Sequence, residues 1–258
     1  MTRLQTLALP MLALSQVTSQ RVSSALGWNF ESPVCKGDHQ SPINIFLPNI
    51  DNVKVWDTEN PPLQFDGDCD ESIIKKLENL YKWEIQGDDN CTAKSTDDEK
   101  EYSLLQFYLR LTSEHTINNE RYDAELQFVH KSMDGSGKQL VIGVLLQAVT
   151  VAQPNAFIQN LLTDMENFPA DLDKSDVNYA ELLNELVKTT HLVNYSGSLT
   201  TPECTENVDW WVLLNPFAIS LVDLQRMKML YNMLPQSSNV RPIQPLNDRD
   251  IVFYFRQS

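Results

Sequence analysis

Residues 106–130, QFYLRLTSEHTINNERYDAELQFVH, hold two apolar-rich runs around a polar middle. The pattern predicts two short strands joined by a polar turn. Side chains alternate faces along a strand, so Gln106, Tyr108 and Arg110 share one face and Phe107, Leu109 and Leu111 the other. In the second run Glu125, Gln127 and Val129 lie opposite Leu126, Phe128 and His130. Paired antiparallel, the two strands offer a polar patch above an apolar base. Read plainly, such a patch is a solvated sheet face; its alternative reading is a site.

Working outward, strand-like segments outnumber helical ones. SPINIFL, KWEIQG, SLLQFYLRL, AELQFVHKS, QLVIGVLLQAVTVA, DWWVLLNPFAIS and DIVFYF are rich in β-branched and aromatic residues. VIGVLLQAV is apolar almost throughout, as in a central strand covered on both faces. Helical spacing appears in PNAFIQNLLTDMENF, with Pro154 suited to a first turn, and in YAELLNELVK. SLVDLQRMKMLYNML opens on Ser220 with Asp223 three residues on, close to a capping box. With no internal repeat and no linker, the expected architecture is α+β but mainly β. It is a single domain on a large twisted, mostly antiparallel sheet with peripheral helices.

The 258 residues carry a formal charge of −15, which argues against nucleic acid and anionic membranes as partners. The first residues, MTRLQTLALPMLALSQVTSQ, have one arginine, a short apolar stretch and small polar residues. This is the layout of a secretory signal peptide, placed at about 1–22, with the domain over 23–258. A buried N-terminal helix is the alternative. Export to the extracellular space, or delivery to an organelle lumen, follows from that reading. Cys35, Cys69, Cys91 and Cys204 permit three pairings, and an even count behind a leader suggests two disulfides. The spacings contain no C-x-x-C, so a cysteine zinc site is the poorer alternative. N-x-S/T sequons place candidate glycans at Asn90 and Asn194.

Four segments then act together: CKGDHQSPINI (35–45), SEHTINNERYDAELQFVH (113–130), YSGSLTTPEC (195–204) and NVRPIQPLNDR (239–249). In order and spacing they resemble the α-carbonic anhydrases, over the chain from about Trp28 to its end; residues 46–102 depart from the pattern. The resemblance implies the conical-cavity fold of that family and a Cys35–Cys204 disulfide. Cys69 and Cys91 are left as a second pair outside the usual pattern. It also implies an apolar pocket at Val129, Val141, Leu199 and Trp210, and a polar pair at Thr200 and Glu114. Tyr81 falls at the family's proton-shuttle position and Phe30 at its active-site tyrosine.

At the three zinc-ligand positions the family carries histidines; this sequence has Tyr108, Arg110 and Gln127. Zinc needs lone pairs from imidazole, thiolate or carboxylate. Arginine stays protonated and has none, an amide oxygen is weak, and a phenol ionises only near pH 10. Without the metal nothing lowers the pKa of a water to about 7 for hydration. His115 and His130 read as structural, and His39 and His191 lie elsewhere in the sequence. A buried Arg110 would require a carboxylate, and Glu114 is at hand.

The expectation is therefore a catalytically inactive, carbonic-anhydrase-like secreted protein with no cofactor, no metal and no catalytic residue. A small polar ligand such as a sugar would bind in the cavity lined by Tyr108, Arg110, Gln127, Thr200, Thr201 and Trp210, or a protein partner on the surface. Two other classes compete. Residual or metal-free hydratase or esterase chemistry lacks a visible general base beside Thr200. A storage or matrix role rests on the acidic clusters DGDCDE and STDDEKE, which read more simply as solvated loops.

Overall fold

The fold was analysed in a computed structural model, which describes residues 33–47, 52–67, 69, 72–86, 91–96, 98–169, 179–236 and 240–257. The leader region, Phe30 and the sequon at Asn90 lie outside these residues. Fourteen strands follow in chain order: β1 (Asn44–Ile45), β2 (Val53–Trp56), β3 (Leu63–Asp66), β4 (Ser72–Lys76), β5 (Tyr81–Ile85), β6 (Thr92–Ser95) and β7 (Glu101–Arg110). Then come β8 (Thr116–Ile117), β9 (Glu120–Arg121), β10 (Ala124–Ser132), β11 (Gln139–Val149), β12 (Leu192–Gly197), β13 (Val208–Ser220) and β14 (Val252–Arg256).

Eleven strands form one sheet, with the path β2-β14-β12-β13-β11-β10-β7-β5-β4 and β6 bridging β3 to β7. Most of its ladders are antiparallel. The β11–β13 and β14–β2 ladders are parallel, so the large sheet is mixed. The apolar run of β11 is buried from Leu140 to Leu146, as a strand covered on both faces requires.

β7 and β10 pair antiparallel, with Arg110 opposite Glu125, Tyr108 opposite Gln127 and Phe107 opposite Phe128. The link between them is more than a polar turn. Its β8 and β9 form a small separate sheet with β1, whose Asn44 and Ile45 pair parallel to Thr116 and Ile117. Two-residue strands carry too little alternation to stand out in a sequence.

Among the described residues, three α-helices cover the sheet: α1 (Ala156–Asn167), α2 (Tyr179–Thr189) and α3 (Leu221–Asn232). Pro154 lies just outside α1. The cap is Asn155, whose side chain accepts from the Ile158 N–H at 3.2 Å. Ser220 caps α3 by accepting from the Asp223 N–H at 3.0 Å. The apolar side of α1 sends Phe157 against Phe107 and Phe128, with centroids 5.9 Å away in both cases. Trp83 of β5 stacks on Phe107 at 5.1 Å and donates its indole N–H to Asp164 of α1 at 3.0 Å. Burying each such ring contributes roughly 1.5–3 kcal/mol. This aromatic layer is the apolar base beneath the opposite, polar face. Disulfides join Cys35 to Cys204 and Cys69 to Cys91. Among the described residues, no helix is long and apolar enough to cross a membrane.

Candidate functional site

The polar face of β7 and β10 is closed to water. Tyr108, Arg110, Glu114, Glu125, Gln127 and Thr200 are all buried, and their polar atoms answer one another. Arg110 Nε lies 3.2 Å from Glu114 Oε2, and Arg110 Nη2 donates to Thr200 Oγ1 at 3.2 Å. The Thr200 hydroxyl donates to Gln127 Oε1 at 3.3 Å, and Gln127 Nε2 donates to Glu114 Oε2 at 3.0 Å. The four side chains form a closed ring of hydrogen bonds and one ion pair. The Tyr108 ring completes it, with the guanidinium carbon 4.6 Å from its centroid.

A second tier fixes the carboxylates. Glu114 Oε1 accepts from the Arg241 N–H at 2.7 Å. Glu125 accepts from the backbone N–H groups of Glu114 (2.8 Å) and His115 (2.9 Å), from Gln127 Nε2 (2.9 Å), and faces His115 Nδ1 at 2.8 Å. His115 Nε2 is 2.7 Å from the Tyr195 hydroxyl, so this histidine is held within the core. Gly143, opposite Gln127 on β11, makes room: a methyl there would come within 3.1 Å of Glu125 Oε1.

Burial works against a charged guanidinium, but the Glu114 carboxylate together with Tyr108 and Tyr231 outweighs it, so the Arg110 pKa is raised. Burial also raises the Tyr108 phenol, against the opposing pull of Arg110. Glu125 would be raised by burial, but His115 and Gln127 bring it below the usual carboxylate range. The site thus holds a cation, two carboxylates, a neutral phenol and an amide.

As a zinc cradle this donor set does not fit. Arg110 offers N–H donors and positive charge, Tyr108 stays protonated, and the Gln127 oxygen already accepts from Thr200. Among the described residues, no three His, Cys, Asp or Glu side chains are grouped to hold a metal ion.

The remaining expected residues divide. Val129, Val141 and Trp210 are buried, and Trp210 donates its indole N–H to the Ser198 carbonyl at 2.8 Å. Leu199 and Thr201 are partly exposed, on the loop that Cys204 ties to Cys35. The polar pairing expected between Thr200 and Glu114 is replaced: Thr200 bonds Arg110 and Gln127. Tyr81 shares the Trp83 side of β5 and packs on Tyr231 at 5.8 Å; Lys82 is the β5 residue beside Tyr108. Asn194 Nδ2 donates to Asp209 Oδ1 at 2.6 Å and to the Trp210 carbonyl at 3.1 Å, so the sheet engages this sequon's amide. Sequence reading missed Arg241 and the hub role of Glu125. Glu125 had a signal in its place on the Gln127 face, whereas Arg241 reaches Glu114 through its backbone.

Comparison with known proteins fits this geometry to a family. The family model for eukaryotic-type carbonic anhydrase matches residues 23–255. Alpha carbonic anhydrase 3 of Arabidopsis thaliana is 33% identical over 233 residues, covering 86% of this chain and 76% of that one. A carbonic anhydrase of a Nostoc species is 35% identical over 158 residues, 59% of this chain; the match spans about half (54%) of that relative's length. Among solved structures, an alpha-carbonic anhydrase from Thermovibrio ammonificans with the inhibitor sulfanilamide superposes with a TM-score of 0.72. That pair is 28% identical and covers 88% of this chain and 94% of the other. A dioscorin complexed with ascorbate gives a TM-score of 0.72 at 23% identity, over 90% of this chain and 94% of that one, a likeness of fold alone. The chain belongs to the eukaryotic-type carbonic anhydrase family.

Proposed function

We propose that this chain is a secreted, non-catalytic member of the family that serves as a binding protein. One observation carries the reading: the buried Arg110 guanidinium, paired with Glu114 and bonded to Thr200, takes the place of the metal dication. A permanent cation there repels zinc, and the hydroxide nucleophile that CO2 hydration requires has no source among Tyr108, Arg110 and Gln127. Within the ring Arg110, Glu114, Gln127 and Thr200 hold one another directly, with no solvent or substrate atom between them.

The binding role is for a small polar ligand of the sugar class or for a protein partner. Leu199 and Thr201, on either side of the buried Thr200, are partly exposed, whereas Arg110 is fully buried, so a ligand reaches the guanidinium only by displacing what covers it. Fold neighbours hold small molecules, the dioscorin its ascorbate, and a ligand of similar size suits this chain. Two disulfides accord with an oxidising compartment.

The test is stopped-flow CO2 hydration with metal analysis on protein dialysed against zinc. Substoichiometric zinc and no rate above buffer are expected. One zinc per chain with matching turnover overturns the proposal. A glycan array probed with the wild type and an R110M/W210F variant then separates sites: loss in the variant places the ligand at the cradle, and unchanged binding places it on the surface.

A further inference from the structure

A cleft of about 440 Å³ opens where β12 ends at Gly197 and β13 begins at Val208. Asp209 pairs with Leu140, and Leu140 with His130, so this carboxylate lies on the face away from Gln127 and the cradle. Tyr102 and Asp98 line the cleft from the β6–β7 side, Lys138 from the turn between β10 and β11, and Glu206 from the loop before β13. The volume falls within the roughly 300–1,000 Å³ of small-molecule sites.

Its charges divide into those already engaged and those left open. Asp98 accepts from the Lys100 N–H at 3.1 Å and the Tyr102 hydroxyl at 2.7 Å. Asp209 accepts from Asn194 Nδ2 at 2.6 Å and from the Trp211 indole N–H at 2.9 Å. Burial first, then the bond to Asp98 and the charges of Asp98, Asp209 and Asp134, raises the Tyr102 phenol, so the field on this wall is negative. Glu206 is exposed at the rim: its Oε1 accepts from the His39 N–H at 2.8 Å and Gln40 Nε2 at 2.6 Å, and among the described residues its Oε2 has no donor. Lys138 is exposed too, and its ammonium has no hydrogen bond or ion pair among those residues. Its backbone is nonetheless pinned to the residue after Glu206. Asn207 Nδ2 donates to the Gly137 carbonyl at 2.6 Å, and the Gln139 N–H donates to the Asn207 carbonyl at 3.0 Å.

Opposite charges that line one cleft without meeting suit a ligand that carries both. A lone carboxylate gains Lys138 but faces Asp98, Asp209 and Glu206. A lone ammonium leaves Lys138 unanswered. A zwitterion answers both, and having no net charge it is not repelled by a chain of charge −15. We propose that this cleft binds free amino acids, the carboxylate on Lys138 and the ammonium on Glu206. The site shares no residue with the cradle and does not depend on the reading of it. The test follows the backbone amides of Lys138, Gln139, Asn207 and Val208 in the ¹⁵N-labelled full chain, at ~0.15 M salt, where charges beyond about 8 Å are screened. L-Alanine and 4-aminobutyrate are the probes; sodium acetate and methylammonium chloride, with one of the two charges each, are the controls. Saturable movement with at least one probe and none with the controls is expected, and the better probe reports the spacing of the two charges. Lys138→Met should weaken binding about ten- to a hundredfold, the loss of one charge-assisted hydrogen bond. Glu206→Gln should do the same while keeping an oxygen for His39 and Gln40, and an unchanged melting curve separates that loss from unfolding. No movement with either probe, equal movement with a control, or full affinity in Lys138→Met overturns the proposal.

Discussion

Replacing Arg110 by methionine removes the cation from a fully buried pair while keeping most of the side-chain volume. Glu114 then retains the Arg241 N–H and Gln127 Nε2 as donors but loses the guanidinium at 3.2 Å. Thr200 loses the Arg110 donor, and the Tyr108 face loses its guanidinium. Breaking a buried pair from one side costs about 3–5 kcal/mol, because an uncompensated charge stays behind. For a domain of this size that lowers Tm by roughly 6–20 °C. The measurement is urea unfolding followed by tryptophan fluorescence, with circular dichroism to check that the native signal persists. Adding Glu114→Gln removes the stranded charge, so the double variant should be about 2–3 kcal/mol less damaged than the two single losses summed. Arg110→Lys keeps the charge but cannot reach Glu114 and Thr200 with a planar fork, and should fall between wild type and Arg110→Met. If Arg110→Met costs under ~1 kcal/mol with an unchanged m-value, the ion pair is not what holds this face together.

Three further outcomes follow from the same geometry. Converting Tyr108, Arg110 and Gln127 together to histidine should raise bound zinc from substoichiometric to roughly one per chain by mass spectrometry, since imidazoles supply the missing lone pairs. The His130 ring, between the Leu140 carbonyl and the Tyr179 hydroxyl, is lowered by burial from 6.5 to about 4. Between those values the unfolded chain binds the extra proton, so stability falls as pH drops from 6.5 toward 4, by on the order of 3 kcal/mol. The Tm-against-pH curve of a His130→Gln variant should be flatter there. Replacing Cys69 and Cys91 by alanine reopens a loop with a sequence separation of 22, and should cost about 3 kcal/mol in urea unfolding under non-reducing conditions.

The strongest strands were legible because their side chains alternate or are apolar throughout. AELQFVHKS is β10 from end to end, and the sharing of faces by Tyr108, Arg110 and Gln127 follows from the two-residue period alone. The Arg110–Glu114 pair was legible as well, since a buried arginine four residues from a glutamate has one economical solution. Between residues 46 and 102 the strands are short and interrupted by charge, and β6, reading TAKS, carries no period to detect. Nor does sequence announce that β11 and β13 lie side by side in parallel, because α1, α2 and β12 intervene. The Arg241 bond to Glu114 uses a backbone N–H, which every residue but proline owns, so no residue type marks it.

The position of β14 has a kinetic consequence. This strand lies between β12 and β2, so among the described residues Val53–Trp56 has no ladder until Val252–Arg256 is in place. During synthesis the early segment must wait for some two hundred further residues, and closure across that separation is the slow kind of contact. Nascent chains halted short of residue 252 should therefore keep β2 sensitive to protease however well the middle of the sheet has formed. Deleting Val252–Arg256 should likewise release Val53–Trp56, far earlier in the chain.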